Sequence, residues 1–187
     1  MKYRVHVLAS CSFSITLLLA VLFSATLQTK AAGSPPEDNR EVSKLLEDIK
    51  LQAADLQRDS DELESFTHSD VSWESHATEL EAIKERINKI GETIQKLQNM
   101  RSSASPWQQE AIDRIIPVAQ KLASNTSAAI EHLNRSPKRL QDPEYRQYLK
   151  QNAEAARQLS SMVRDFVEYG KTRSTLESLE KRLEVPR

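Results

Sequence analysis

The spacing of apolar residues constrains this chain more than any other feature of its sequence. From Val42 onward, apolar side chains recur three or four positions apart, which places them along one face of an α-helix. The 187 residues include only three glycines, so turns with a left-handed backbone and glycine-rich phosphate loops are nearly excluded. The chain is therefore predicted to be all-α.

The apolar positions form four stripes, each long enough for a helix that crosses a small domain. They run over Val42, Leu45, Leu46, Ile49, Ala53, Leu56, Leu63 and Phe66; over Trp73, Leu80, Ile83, Ile87, Ile90, Ile94 and Leu97; over Trp107, Ile112, Ile115, Ile116, Ala119, Leu122, Ala129, Ile130 and Leu133; and over Tyr145, Tyr148, Leu149, Ala156, Leu159, Met162, Val163, Phe166 and Val167. Short connections between such helices predict an antiparallel four-helix bundle built from helical coiled-coil hairpins. A weaker stripe after Gly170 predicts a long C-terminal helix that overhangs the bundle.

The joint between the first two stripes allows two interpretations. Neither proline nor glycine occurs between Pro36 and Gly91, so residues 38–101 could form one long helix. Five polar residues in the segment 67–72 interrupt the stripe, and Ser, Thr and Asp side chains compete there for backbone hydrogen bonds. We favour a break in this segment, with Ser72 capping a second helix.

Two short motifs mark the starts of the later helices. Ser105-Pro106 and Asp142-Pro143 each place a capping residue before a proline at the first helical position, and Pro117 predicts a kink inside the third helix. If the helices alternate in direction, the aromatic residues gather at two ends. Phe66, Trp73, Tyr145 and Tyr148 belong to one end, and Trp107, Phe166 and Tyr169 lie near the other.

The first 31 residues have the three-part pattern of a secretory signal peptide. Lys2 and Arg4 precede an uncharged run from Val7 to Leu27, and small residues around Ala31 follow. We predict a signal peptide over residues 1–31, a proline-containing linker over 32–37, a helical bundle over 38–169 and a C-terminal helical extension over 170–187. An uncleaved inner-membrane anchor is the alternative, because the uncharged run is long enough to cross a bilayer.

The position of the cysteine and the balance of charged residues limit which cellular compartment and which binding partners can be expected. The one cysteine, Cys11, lies inside the predicted leader, so the processed chain would hold no disulfide and no thiolate metal ligand. Because secreted eukaryotic domains often depend on disulfides, the sequence favours a bacterial periplasm. Beyond residue 31, 23 basic side chains stand against 27 acidic ones, which gives no reason to expect nucleic-acid binding.

Three histidines are candidate metal ligands. His68, His76 and His132 are expected at one end of the bundle, where Asp70, Glu74 and Glu131 could add oxygen ligands. An ordinary polar end of a bundle explains the same residues and is the favoured interpretation. The Glu-x-x-His pairs of di-iron bundles and the Cys-x-x-Cys-His haem signature are absent, so no cofactor is predicted.

No residue pattern points to catalysis. Ser, His and Asp are present, but no nucleophile elbow or comparable spacing organises them. The paired carboxylates Asp61-Glu62 and Glu79-Glu81 lie on charged helical faces that are expected to be exposed. The chain is predicted not to be an enzyme.

The tail beyond Gly170 places Leu176, Leu179 and Leu183 between charged residues of both signs. A tail of this kind can cap its own bundle or project from it, pair with a second copy, or lie weakly on an anionic membrane. The first of these is the favoured interpretation. Apart from the leader, the tail is the only segment for which membrane contact is expected.

These observations predict an exported protein of the cell envelope with a structural or protein-interaction role, bound to an unknown protein partner or to itself. The alternatives are a periplasmic chaperone-like or lipid-handling helical module and a metal-binding bundle that uses the histidine end. Small periplasmic stress chaperones of the Spy type are similar in size, export signal and composition. Their repeated Leu-Thr-x-x-Gln motif is absent here, so their activity is not carried over.

Overall fold

A computed structural model describes residues 37–184 of the chain, all within one compact unit. Four α-helices make up most of this part: α1 (Arg40–Ser65), α2 (Trp73–Met100), α3 (Pro106–Arg135) and α4 (Pro143–Leu183). The predicted signal peptide, nearly all of the predicted linker and the last three residues lie outside the described range. Between residues 37 and 184 the fold contains no β-strand, so the prediction of an all-α chain is confirmed.

The four helices pack against one another around a single core. α4 makes its most extensive contacts with α1 and α3, and α2 packs against the same two helices. The largest fully buried side chains come from the predicted stripes of all four helices: Leu46, Ile49, Leu56, Leu63, Leu80, Ile83, Ile90, Leu97, Ile112, Ile115, Leu122 and Tyr145. Because burying apolar surface contributes about 25 cal/mol per Å², this shared core holds the helices together.

α1 and α2 are separate helices, so the favoured break is confirmed. α1 ends at Ser65 and a 3-10 turn over Phe66–His68 follows it. The Thr67 hydroxyl donates to the carbonyl oxygen of Glu64 at 2.8 Å. Ser72 is the N-cap of α2, and its hydroxyl oxygen accepts from the backbone N–H of Ser75 at 3.3 Å. Side-chain competition for backbone groups therefore accompanies the end of one helix and the start of the next.

The starts of α3 and α4 also follow the sequence prediction. Ser105 and Asp142 are the N-cap residues, and each precedes a proline in the first helical turn. Pro117 lies inside α3, which continues on both sides of it. α4 likewise continues through Gly170, so the predicted C-terminal extension is a direct continuation of the fourth helix.

α4 is longer than the helices against which it packs. It has 41 residues, whereas the other three helices have 26 to 30. Its last turns expose Leu176, Leu179 and Leu183. None of the helices between residues 37 and 184 is sufficiently long and apolar to cross a membrane.

Candidate functional sites

Two of the three candidate histidines meet around one buried tyrosine. Tyr145, in the first turn of α4, is fully buried, and its hydroxyl lies 2.9 Å from Nδ1 of His76 in α2. The ring of His132, near the end of α3, stacks on the Tyr145 ring with centroids 5.4 Å apart. Phe66 approaches His76 edge-on at 5.4 Å. The end of α1, the start of α2, the end of α3 and the start of α4 therefore contribute to one aromatic cluster.

Burial sets the protonation of the His76–Tyr145 pair. Removal from water lowers the pKa of His76, because the charged imidazolium is the form that loses hydration. The same effect raises the pKa of Tyr145 well above its ordinary value. Both groups are therefore neutral at neutral pH, and their contact is a hydrogen bond between uncharged partners.

His132 lies beside two carboxylates at the start of α4. Its Nε2 is 3.3 Å from Oδ2 of Asp142 and its Nδ1 is 3.8 Å from Oε2 of Glu144. The shorter approach lacks hydrogen-bond alignment, since His132 Nε2 has no hydrogen-bond partner. Asp142 is also paired with Arg139, whose Nε lies 3.0 Å from the same carboxylate oxygen. The carboxylate of Asp142 therefore has its charged partner in Arg139, while the His132 ring lies beside it.

The third candidate, His68, is not among the rings that contact Tyr145. It is exposed on the 3-10 turn after α1, on a shallow groove that it shares with Thr67 and Arg146. Within residues 37–184, no group of three histidine, cysteine, aspartate or glutamate side chains is arranged to hold a metal ion. His68 shares its groove with Pro143 and Arg146 at the start of α4, so it lies near the same end as the other two histidines. Only His76 and His132 contact Tyr145.

A buried glutamine joins the beginnings of α1 and α3. The Oε1 atom of Gln108 accepts from the backbone N–H groups of Asn39 and Ser105, both at 3.0 Å. Its Nε2 donates to the Asn39 carbonyl oxygen and to the Ser43 hydroxyl oxygen, both at 2.9 Å. These four bonds use both acceptor sites and both donor hydrogens of the side chain. Gln108 therefore fixes the N-terminus of α1 on α3.

Trp107 forms a second junction next to Gln108. Its indole N–H donates to Oδ1 of Asp38 at 2.7 Å, and its ring meets Tyr169 edge-on at 5.6 Å. The same ring lies against α4 at Gly170, where a Cβ atom would come within 2.7 Å of Trp107 Cη2. Arg173 Nη1 lies 3.6 Å from the same Asp38 oxygen. Asp38, two residues before the start of α1, is thus held by both α3 and α4.

An open cleft of about 730 Å³ borders this junction. Some of the charged side chains in and beside it form ion pairs. Lys171 Nζ lies 3.5 Å from Oε2 of Glu47, and Arg173 Nε lies 3.1 Å from Oε1 of Glu177. These pairs compensate part of the charge around the cleft.

The chain was compared with protein-family models, with curated proteins and with solved structures. None of the three comparisons found a match.

Exposed apolar side chains concentrate on one face of α4. Of the six large hydrophobic residues exposed between residues 37 and 184, four are Tyr169, Leu176, Leu179 and Leu183. They occupy a heptad spacing, since the first, second and fourth lie seven positions apart and the third lies three positions after the second. We call these four residues the α4 stripe.

A groove continues the α4 stripe toward the middle of the helix. Met162, Phe166 and Tyr169 line it on α4, and Arg114 of α3 closes its other side. The Arg114 guanidinium lies 5.4 Å from the centre of the Phe166 ring, a cation–π distance. The accessible apolar surface therefore extends from Met162 to Leu183 on one side of α4.

Several functional features escaped the sequence analysis. The hydrogen bonds of Gln108 were not predicted, although Ser105 and Gln108 have the Ser-x-x-Gln spacing of a capping box. Phe66 and Tyr145, predicted to lie at one end, both contact His76, and Trp107 contacts Tyr169, predicted to lie near the other end. Asp61, predicted to lie on an exposed charged face, is partly exposed and forms an ion pair with Arg157 of α4 at 2.9 Å.

Proposed function

We propose that this chain is an exported, non-enzymatic protein of the cell envelope that acts by binding a helical partner through the α4 stripe. The observation that carries the proposal is the position of its exposed apolar residues. Most of the other large apolar side chains between residues 37 and 184 are at least partly buried, whereas the α4 stripe leaves Leu176 and Leu183 with 56% and 66% of their surface exposed. Large apolar surface that a protein leaves open in one contiguous patch is typical of interaction sites.

The polar clusters support a structural role for the rest of the molecule. Gln108 bonds to backbone groups and to a hydroxyl, His76 and Tyr145 bond to each other, and Trp107 bonds to Asp38. Each polar group is thus engaged within the protein rather than directed at a substrate. A catalytic site needs a nucleophile, acid or base that reaches a bound molecule, and these contacts do not provide one.

We further infer that the four helices form an antiparallel bundle from which the end of α4 projects. Two sets of contacts support this arrangement. The start of α1 bonds to the start of α3 through Asn39 and Gln108, and to the turn after α2 through Asn39 Nδ2 and Ser103 Oγ at 3.0 Å. The aromatic cluster around Tyr145 combines the opposite ends of α1, α2 and α3 with the start of α4.

Distances between paired spin labels test this arrangement. Labels at Arg40 and Ser103 should lie close together, while labels at Arg40 and Arg135 should be separated by tens of ångströms, because the 30-residue α3 is about 45 Å long. All three positions are exposed. Equal distances for the two pairs, or a shorter distance for the second pair, would contradict the antiparallel arrangement.

Site-specific photo-crosslinking in cells that express the full chain tests the proposed binding role. A photoreactive residue at Leu179 is expected to give a specific adduct, which disappears when Leu176→Glu is added. The matched control places the same residue at Leu51, which is 61% exposed on α1 but lies outside the α4 stripe. Absence of any adduct at Leu179, or equal adducts at both positions, would refute a binding role for the stripe.

A further inference from the structure

We infer that the partner of the α4 stripe is a second copy of this chain, joined through pairing of the two C-terminal helical segments. This inference rests on the proposed function and names the occupant of its binding surface. The stripe has a heptad spacing, with Tyr169, Leu176 and Leu183 in one position of the repeat and Leu179 in the other main apolar position. Such a seam is self-complementary, because the same residues recur on both members of a pair.

The symmetry of homodimers favours a second copy of the chain as the partner of the α4 stripe. Two-fold symmetric dimers use one patch on both subunits, so an apolar stripe needs no second complementary surface to be covered. The stripe also drifts around α4 in the manner of a coiled-coil seam, since a seven-residue repeat falls slightly short of two turns of an ideal helix. A left-handed pairing of two such helices keeps the seam facing its partner along its full length.

Charge balance permits two copies to approach each other. The segment 171–184 holds four basic residues and three acidic ones: Lys171, Arg173, Lys181, Arg182, Glu177, Glu180 and Glu184. A nearly neutral segment does not repel its own copy, whereas a strongly basic one would favour an anionic membrane surface. The charges also flank the leucines on a single helix, as the polar positions of a coiled coil do.

The available surface sets the expected strength of the dimer. Specific interfaces of standard size bury about 800 Å² on each partner, which the four side chains of the stripe do not reach alone. The neighbouring groove at Met162 and Phe166 lies on the same side of α4 and extends the surface toward that size. The dimer is therefore expected to be weak and reversible, with association that rises over the micromolar concentration range.

Co-expression of two copies of the full chain with different epitope tags tests the identity of the partner. With the photoreactive residue at Leu179, the expected adduct carries both tags. An adduct that carries one tag and a foreign protein would overturn the inference and leave the proposed binding function standing. No adduct at all would overturn both.

Sedimentation equilibrium provides the second test. The full sequence is expressed and the resulting chain is purified. The wild-type chain is expected to shift from monomer to dimer as its concentration rises. Leu176→Glu should weaken this association at least tenfold, because a pair of buried charges would face each other across the seam. Leu51→Glu, an equally exposed change on α1, should leave it unchanged. A wild-type chain that stays monomeric throughout, or a dimer that Leu176→Glu does not weaken, would overturn the inference.

Discussion

At the scale of single residues, Gln108 makes four hydrogen bonds with its side chain. It is fully buried, and it serves two backbone N–H groups, one carbonyl oxygen and one hydroxyl. Buried polar groups are costly when they lose a partner, because they have already given up their water. A residue that satisfies four groups at once therefore has more influence on stability than its own size suggests.

Gln108→Met should test this role, because it keeps the shape of the side chain and removes its hydrogen bonds. The backbone N–H groups of Asn39 and Ser105 would lose their acceptor, and we expect the free energy of unfolding to fall by about 2–4 kcal/mol. Urea denaturation followed by circular dichroism measures this loss. Gln95→Met, at an exposed position of α2, is the matched control and should change stability by less than about 0.5 kcal/mol. Equal effects of the two changes would contradict a stabilising role for the hydrogen bonds of Gln108.

His76 links the aromatic cluster to pH. Because burial lowers the pKa of His76, the unfolded chain binds this proton more readily than the folded protein does. The stability that the neutral, buried His76 contributes is fully present above the ordinary histidine pKa of about 6.5. This contribution is lost as the pH falls below that value. For one proton, the slope cannot exceed about 1.4 kcal/mol per pH unit.

Unfolding of the wild-type chain and of His76→Gln between pH 7.5 and pH 5.5 checks this dependence. The wild-type chain should lose more stability on acidification than the variant, which carries no titrating group at this position. His68→Gln serves as the control, because His68 is exposed outside the cluster and its replacement should preserve the wild-type slope. The same slope in all three proteins would show that His76 does not contribute to acid sensitivity.

At the scale of helices, ion pairs connect neighbouring faces of the bundle. Arg86 of α2 pairs with Asp59 of α1 and lies 3.4 Å from Asp55. Arg157 of α4 forms an ion pair with Asp61 at 2.9 Å and donates a hydrogen bond to Glu64 at 2.8 Å. Such partly exposed pairs contribute little energy individually, so their main effect is to align helices that the apolar core already holds.

Gly170 allows α4 to pack closely against Trp107, and the helix does not end at this glycine. The glycine leaves room for the indole ring of Trp107, and a methyl group there would lie 2.7 Å from Cη2. Gly91, in α2, has no atom within 4 Å of the corresponding position. The two helical glycines therefore offer a matched pair, in which the same substitution meets a filled space at one site and an open space at the other.

Alanine at these two glycines should change stability in opposite directions. Gly91→Ala should stabilise the protein by about 0.5–1 kcal/mol, because alanine favours the helical backbone. Gly170→Ala should destabilise it by about 1–3 kcal/mol, because the ring must move and its bond to Asp38 weakens. In a Trp73→Phe background, the emission of Trp107 should shift to longer wavelength only with Gly170→Ala. Stabilisation by both changes would contradict the docking role.

At the scale of the whole molecule, local sequence patterns predicted the helices but not their mutual contacts. Apolar spacing identified all four helices, because a buried face repeats every three or four residues. The bonds Asn39–Gln108, His76–Tyr145 and Asp38–Trp107 each join residues 69 positions apart. Periodicity shows which face of a helix is buried and does not say which side chain of another helix lies opposite, so these pairings became visible only in the structure.

The α4 stripe could also be predicted only in part from the local sequence. Leu176, Leu179 and Leu183 were visible as an apolar stripe in the sequence, and their exposure depended on where the other helices end. α4 exceeds the next longest helix by 11 residues, from 41 against 30. These leucines are exposed near the end of the longest helix, and they are the surface through which we propose that the molecule binds.

Thiol labelling in intact cells tests most directly whether the chain is exported and whether its α4 stripe is covered there. In a Cys11→Ser background, Leu176→Cys and Leu51→Cys each introduce the only thiol of the chain. A maleimide that does not cross the inner membrane should label both variants after dilution of the purified protein, but only Leu51→Cys in cells. Equal labelling of the two variants in cells would contradict binding through the stripe, and no labelling of either would contradict export.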